Sequence, residues 1–344
     1  KQSYSILLMF RIWSVKNMKG NQMMKSLSTL ISIQQPTMVW GGVGVGKSEM
    51  IHSVGESLGY QVRDVRVALL DPVDLRGVPS VEDGVTKWNP PIFLPTEDEP
   101  KTLLFLDELP HGSPSVQNAL FQLVKDRQLG EYKLPDSTVI VGAGNRIQDR
   151  AGANRVNTAL GDRFIHLNLD VCADEWVEWA KKSKRVIPEV IAYIRYRPEN
   201  LFVFDAKAQV QATPRSWEYA SKIMATSPDS DIEQELLAGT VGEGVSAELI
   251  GFLRTCRSLP SVDQIINNPE AIDLENDPAV MYAVCSIIAR KMDKKNINKF
   301  MKFLETLPDE FAILCMSDAV IGNPDLKKTK AYIDFDVKHQ ELTL

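Results

Sequence analysis

Short apolar runs, separated by segments with helical spacing, dominate the first half of the chain. The helical segments are Ser48–Leu58 and Ser113–Arg127, each with its apolar residues on one face. We predict buried strands at Thr37–Trp40, Gln61–Leu70, Thr102–Leu106, Thr138–Gly142 and Phe164–Leu169. Strands that alternate with helices indicate a parallel sheet covered by helices, which is an α/β fold.

The second half of the chain shows helical spacing throughout. The predicted helices are Ala173–Lys184, Pro188–Tyr196, Arg215–Ala225, Ile232–Leu237, Ser246–Cys256, Ala279–Met292, Asn296–Leu307 and Glu310–Ile321. Prolines at positions 260, 269 and 278 separate the last group from the earlier one. The pattern therefore predicts an α/β domain at 21–172, an all-helical segment at 173–260 and a helical extension at 261–344.

A β-hairpin is predicted within the α/β domain, near residues 78–88. Asp83-Gly84 stands between Val81-Glu82 and Val85, and an Asp-Gly pair flanked by valines favours a type I′ turn. A hairpin inserted there would protrude from the domain as a working part. A simple decorated loop is the alternative.

The loop after the first strand carries the strongest chemical signal in the sequence. It reads Gly41-Gly42-Val43-Gly44-Val45-Gly46-Lys47-Ser48, the G-x-x-x-x-G-K-S pattern of a phosphate-binding loop. The glycines let successive N–H groups face one anion, and the following helix adds its positive N-terminus. Lys47 would neutralise the β- and γ-phosphates of ATP, and the Ser48 hydroxyl would hold Mg²⁺.

A second group of polar residues is predicted at the same sheet edge. Asp107 and Glu108 follow an apolar strand directly, and Asn145 follows another. Ligands of parallel α/β sheets bind at the carboxyl ends of the strands. Asp107 would hold Mg²⁺ through water, Glu108 would polarise the attacking water, and Asn145 would orient it. Alternatively, the two acids cap a loop and Asn145 is a turn residue.

Composition excludes several classes of protein. The 344 residues carry a formal net charge of −6, with 24% charged and 44% hydrophobic residues, which is typical of globular domains and gives no general attraction for polyanions. The four cysteines and four histidines lack metal-ligand spacing. No apolar run reaches the roughly 20 residues of a membrane helix. We therefore expect a cytoplasmic protein without a membrane segment.

The first residues give a weaker signal. The apolar run at 6–10 lies between Lys1 and Arg11, as in a signal peptide, but no small-residue cleavage site follows. Met18 could be a natural start. We expect residues 1–20 to be a poorly defined extension, or an additional helix.

Taken in order, these motifs resemble the AAA+ ATPases, and within them the MoxR-like branch. The resemblance lies in Gly41–Ser48, Leu103–Glu108, Ser115–Leu120, Asp126–Gln128, Asn145, Leu160–Phe164 and Thr213–Ser216. It covers residues 23 to about 260. It implies a five-stranded parallel sheet of order 5-1-4-3-2, a helical lid at 173–260, and a ring, usually of six subunits, with nucleotide between neighbours. The hairpin at 78–88 matches the helix-2 insertion of that clade.

The resemblance also implies two arginine roles. Arg163 would be the finger that reaches the γ-phosphate bound by the next subunit, and Arg215 would be the second sensor of its own subunit. Arg146, Arg150 and Arg155 lie in the same stretch and compete for the finger role. Asp162-Arg163 as a solvated ion pair is the alternative.

The favoured function is an ATP-hydrolysing remodeller that matures or activates a protein client. In MoxR-like proteins the client often carries a von Willebrand factor A domain. A nucleic-acid motor or loader is a second hypothesis, although the acidic pI of about 5.4 argues against a nucleic-acid partner. A nucleotide-gated assembly scaffold is the third.

Overall fold

A computed structural model of the chain describes residues 17–146, 156–259, 261–267 and 277–339. The chain divides into two compact units, Lys1–Asp170 and Val171–Leu344. The predicted lid and C-terminal extension both lie in the second unit.

A parallel sheet forms the centre of the first unit. Its strands are β1 (Asn17–Met18), β2 (Thr37–Trp40), β3 (Gln61–Arg66), β6 (Thr102–Asp107), β9 (Val139–Gly144) and β10 (Ile165–Leu169). Their spatial order is β1-β10-β2-β9-β6-β3, and all pairs are parallel. Without β1 this is the predicted order 5-1-4-3-2, so the fold class is confirmed. The predicted number of five strands is wrong, because a two-residue strand is too short to leave a periodic pattern.

Two strands end two or more residues away from their predicted bounds. β3 ends at Arg66, four residues early, because the chain turns into a 3₁₀ helix at Val67–Leu69 and then helix α3 (Pro72–Arg76). A capping box of Asp71 and Asp74 starts α3. β9 continues to Gly144, two residues beyond its predicted end.

Helices cover the sheet in the first unit. They are α1 (Gly20–Ser32), α2 (Lys47–Ser57), α4 (Pro114–Asp126) and α5 (Thr158–Gly161). α4 begins as predicted, with the Ser113 hydroxyl accepting a hydrogen bond from the N–H of Val116 at 3.3 Å. Its residues Val116, Leu120 and Leu123 are fully buried, in an apolar cluster that also contains Leu104 and Leu106 of β6.

The predicted hairpin consists of β4 (Val78–Glu82) and β5 (Val85–Asn89), paired antiparallel. Asp83 and Gly84 have φ of 52° and 74°, as a type I′ turn requires. A second, shorter hairpin joins β7 (Gln128–Leu129) to β8 (Tyr132–Lys133).

The second unit is built from helices. They are α6 (Ala173–Ser183), α7 (Pro188–Tyr196), α8 (Pro214–Ala225), α9 (Ser230–Val241), α10 (Glu243–Arg257), α11 (Val262–Asn267), α12 (Pro278–Lys291), α13 (Ile297–Leu304), α14 (Asp309–Gly322) and α15 (Lys330–Lys338). α11 and α15 were not predicted, because both are short and weakly patterned. Across the described ranges, no helix is both long and apolar enough to span a bilayer.

Two apolar clusters form the interior of the second unit. One is centred on Tyr193 and Trp217, and the other on Phe300 and Phe303. α12 contributes to both, with Ala279 and Ala283 in the first cluster and most of its other apolar residues in the second. This helix is therefore the shared wall of the two clusters.

Candidate active site

The glycine-rich loop connects β2 to α2 with two residues in the left-handed region. Gly44 has φ of 71°, and Gly46, which precedes the first turn of α2, has φ of 91°. Side chains rarely adopt such values, so the curl depends on glycine at these positions. A curled glycine-rich loop followed by the N-terminus of a helix is the arrangement in which backbone N–H groups bind an anion.

Lys47 folds back over this loop. Its ammonium group donates to the carbonyl oxygens of Gly41 at 3.0 Å and Gly42 at 2.8 Å, and to Oδ1 of Asn145 at 2.8 Å. The Lys47 charge therefore lies over the loop where a phosphate group would bind. Hydrogen bonds to the loop and to Asn145, which follows β9, hold the ammonium group in this position.

Ser48 and Asp107 bring two oxygen atoms to one point beside the loop. The Ser48 hydroxyl donates to Oδ2 of Asp107 at 3.4 Å. Neighbouring ligands of an octahedral Mg²⁺ lie about 3 Å apart, since each metal–oxygen bond is about 2.1 Å. The two groups are thus spaced as ligands of Mg²⁺, directly or through water, and the expected metal fits the residues present.

The electrostatic environment of Asp107 also favours a cation. Burial raises the pKa of its carboxyl group above the ordinary value, and the charge of Glu108 raises it further. The N–H of Glu108, the ammonium of Lys47 and the hydroxyl of Ser48 oppose this shift. A carboxylate that is half-buried beside a second carboxylate gains stability when a metal ion binds.

Glu108 adopts a strained backbone conformation at the end of β6. Its φ and ψ are 54° and 34°, in the left-handed region, which costs a residue other than glycine about 1 kcal/mol. Two hydrogen bonds hold it there: the Glu108 N–H donates to Oδ1 of Asp107 at 2.9 Å, and its carbonyl accepts from the N–H of His111 at 2.8 Å. Strain of this kind is typical of functional positions.

The turn that follows Glu108 packs tightly on β9. A Cβ atom at Gly144 would lie 2.4 Å from Cγ of Pro110, so only glycine allows this approach. The close contact fixes the spacing between the end of β6, where Glu108 lies, and the end of β9, where Asn145 lies.

The structure brings most of the predicted site together. The loop, Asp107 and Asn145 form one cluster through the hydrogen bonds above, and Glu108 is bonded to Asp107 within it. Arg163 lies elsewhere: its guanidinium pairs with Asp162 at 3.1 Å and stacks over Phe121, and its side chain is 42% exposed. Arg146 follows Asn145 and is half-buried, whereas Arg150 and Arg155 lie outside the described residues.

Arg215 belongs to the second unit, as the second residue of α8. The predicted helix start is observed, with Pro214 in the first position. The Thr213 hydroxyl accepts from the N–H of Ser216 at 3.1 Å, and the Thr213 N–H donates to the Ser216 hydroxyl at 2.7 Å. This capping box fixes the turn that carries Arg215.

One pair near the site has no counterpart in the sequence analysis. The indole N–H of Trp40 donates to Nδ1 of His166 at 2.7 Å, and the rings are stacked. His166 Nε2–H then donates to the carbonyl oxygen of Gly161 at 2.9 Å. The pair connects the residue before the glycine-rich loop to the segment that carries Arg163. The two residues are 126 positions apart in the sequence, so no local pattern indicates their contact.

Comparison with known proteins finds one family match, which lies within the first unit. Residues 36–164 match the family model of the AAA domain, dynein-related subfamily. No curated protein sequence matches the chain.

Similar solved structures include NtrX from Brucella abortus and RuvB from Thermotoga maritima. NtrX in complex with ADP has a TM-score of 0.43 and 14% identity, covering 94% of this chain and 67% of that one. NtrX in complex with ATP has a TM-score of 0.42 and 14% identity, covering 96% of this chain and 69% of that one. A RuvB mutant has a TM-score of 0.40 and 15% identity, covering 92% of this chain and 86% of that one. Likenesses at this level carry no conclusion about activity.

Proposed function

We propose that this chain, whose residues 36–164 form an AAA+ ATPase domain, is a ring-forming remodelling ATPase of the MoxR-like type that acts on a protein partner. The observation that carries the proposal is the convergence of Lys47, Ser48, Asp107 and Asn145 at one sheet edge. This arrangement accounts for triphosphate binding and hydrolysis together. A scaffold that only binds nucleotide would need neither Glu108 nor Asn145.

Each residue of the cluster has a proposed role in the reaction. The loop N–H groups and Lys47 bind the β- and γ-phosphates. Glu108 orients the attacking water and accepts its proton, and Asn145 fixes the direction of that water. Mg²⁺, held by Ser48 and Asp107, would neutralise charge on the phosphate oxygens.

Ring assembly is proposed from the position of Arg163. Its guanidinium is on the surface of the first unit, two residues after the end of the short α5, and pairs with the neighbouring Asp162. An exposed pair of this kind contributes little stability, so the arginine is available to a neighbouring subunit. We assign Arg163 as the finger in trans and Arg215 as the sensor in cis, following the resemblance to MoxR-like proteins.

A protein client is proposed from the exposed hairpin of β4 and β5. Its side chains Val81, Val85 and Trp88 are exposed, Val81 to 76%. Val81 and Trp88 lie on one face of the hairpin and Val85 on the other. Exposed apolar side chains on a projecting element are typical of contact with another protein. The von Willebrand factor A domain remains the client class that the MoxR-like resemblance suggests.

The first experiment compares Glu108→Gln with the wild type and with Glu56→Gln, the same change at an exposed position of α2. Glu108→Gln should bind ATP with unchanged affinity and hydrolyse it at least 100-fold more slowly, since a positioned base contributes about 10² or more. Affinity capture on Glu108→Gln in ATP should retain the client. Unchanged turnover would remove Glu108 from the mechanism.

The second experiment tests the ring. Arg163→Ala and Glu108→Gln should each be inactive, but a mixture should regain part of the activity. The reason is that some interfaces then pair an intact Glu108 with an intact Arg163 of the neighbour. No recovery in the mixture would contradict the assignment in trans. Strong, salt-sensitive stimulation by DNA would instead favour a nucleic-acid motor.

A further inference from the structure

The second unit contains a cavity of about 580 Å³ among α6, α7, α12 and α14. Its charged lining is mostly basic: the cationic residues are Lys181, Lys184, Arg290 and Lys291, and the anionic residues are Asp293 and Asp318. The volume lies within the range of about 300–1,000 Å³ that is typical of small-molecule sites. None of these residues belongs to the nucleotide site described above.

Two buried cations share one carboxylate beside the cavity, which Lys181 and Asp318 line. The guanidinium of Arg195 donates to both oxygens of Asp318, at 2.5 and 2.8 Å, and the ammonium of Lys181 donates to one of them. The exposed fractions of these side chains are 16% for Arg195, 9% for Lys181 and 3% for Asp318. One positive charge is therefore buried without a matching negative charge within the trio.

The protonation of Lys181 reflects this imbalance. Burial is the largest of the effects that lower the pKa of its ammonium group to about 8; the charge of Arg195 acts in the same direction, and Asp318 opposes both. A second anion near Lys181 would offset the burial of its charge. The unmatched positive charge of the trio therefore favours the binding of an anionic ligand.

The rest of the lining is apolar. Val186, Ile191 and Met292 are buried and form part of the wall. Ser286 also lines the cavity, and its hydroxyl is buried without a hydrogen-bond partner in the described part of the chain. A buried hydroxyl without a partner is costly, and a bound ligand with acceptor atoms could satisfy it after a small rearrangement.

We propose that this cavity binds a small organic anion, with its acidic group between Lys181 and Lys291 and its apolar body against Val186, Ile191 and Met292. The ligand class is an aromatic or aliphatic phosphate or carboxylate of low molecular mass. The site joins helices of the predicted lid, α6 and α7, to helices of the C-terminal extension, α12 and α14. Occupancy would therefore stabilise the packing between these two groups of helices.

The test is calorimetric titration of the 344-residue chain with phenyl phosphate and with inorganic phosphate. Saturating ADP and Mg²⁺ are present, so that the phosphate-binding loop is occupied. Phenyl phosphate should bind with a stoichiometry of one per chain and about tenfold more tightly than inorganic phosphate, because the cavity wall buries its ring. Equal affinity for the two probes would refute the apolar half of the site.

Variants locate the binding. Lys291→Glu and Lys181→Met should each weaken phenyl phosphate at least tenfold, whereas Lys299→Glu, the same charge change at an exposed position of α13, should leave it unchanged. Lys181→Met is expected to fold, because Arg195 still pairs with Asp318 through two hydrogen bonds. Absence of saturable binding, or equal binding by wild type and both cavity variants, would overturn the proposal. The melting temperature of each variant reports whether it is folded.

Discussion

The Lys47 ammonium and Oδ1 of Asn145 are joined by a 2.8 Å hydrogen bond across 98 residues of sequence. The bond connects the phosphate-binding loop to the end of the neighbouring strand β9. Together with the two loop carbonyls, it satisfies all three N–H donors of the ammonium group. The cation is therefore fixed over the loop before a nucleotide arrives, and its position depends on the register of two strands.

Substitutions of Asn145 should separate nucleotide binding from turnover. Asn145→Asp places a carboxylate beside Lys47, where it competes with the phosphates for the cation, so we expect about tenfold weaker ATP binding. Asn145→Ala should change the affinity less and lower turnover by about tenfold or more. Fluorescence titration with a nucleotide analogue and a steady-state assay measure the two effects. Equal ATP affinity for Asn145→Asp and wild type would contradict this account of Lys47.

The strained conformation of Glu108 should be visible in stability. Glu108→Gly relieves the left-handed backbone, and we expect the protein without nucleotide to gain about 1 kcal/mol. Glu108→Gln keeps the strain and should change stability by less. Both variants lose the carboxylate and should be inactive. Chemical denaturation of the three proteins tests the order, and a Glu108→Gly protein no more stable than Glu108→Gln would show that the conformation stores no strain.

Gly144 should tolerate no larger side chain. In Gly144→Ala the new methyl group meets the rigid ring of Pro110, so the strand or the turn after Glu108 must move, at a cost of about 1–3 kcal/mol. Turnover should fall as well, because the turn carries Glu108. The matched control is Gly251→Ala in α10, where a Cβ meets no atom within 4 Å. That variant should be stabilised by up to about 1 kcal/mol.

The buried Lys181 should give stability an unusual dependence on pH. Its pKa falls from 10.5 to about 8 on folding, so between these values the unfolded chain holds a proton that the folded chain has lost. Raising the pH through this range therefore stabilises the fold, by about 3 kcal/mol at most. The groups that face Lys181 are Asp318, Arg195 and Cys315.

The measurement is the free energy of unfolding of wild type and Lys181→Met from pH 7 to 9.5. Groups that do not face Lys181 titrate equally in both proteins, so the difference reports Lys181 and its immediate partners. The free energy of unfolding of the wild type should rise relative to that of the variant as the pH rises from 8. The wild type should be least stable, relative to the variant, at pH 7. A difference that stays constant with pH would show that the ammonium group is not destabilised by burial.

The parts of the fold that follow local rules were predictable from the sequence. The strand order rests on the AAA+ resemblance, and the start of α4 at Ser113-Pro114 and the turn at Asp83-Gly84 follow from the backbone preferences of those residues. The phosphate-binding loop is recognisable because its chemistry needs consecutive residues. Bounds that depend on tertiary packing were less accurate, as in β3, which stops where the chain turns into α3.

Features built from distant residues could not be predicted. Trp40 and His166, or Lys181 and Asp318, meet only because the fold places their helices and strands together, and no spacing in the sequence reports it. The same holds for position 144, where only glycine fits because Pro110, in the turn after β6, lies so close. The roles of Arg163 and Arg215 depend on a neighbouring subunit and on the second unit, and they stay predictions.

The double membership of α12 has a consequence for how the second unit melts. One cluster loses Ala279 and Ala283 when this helix detaches, and the other loses Cys285 and Ile288 at the same moment. Neither cluster can therefore unfold and leave the other intact. A protein shortened to residue 260 would expose to water the apolar surface that α12 covers. Both clusters should accordingly unfold in one cooperative thermal transition.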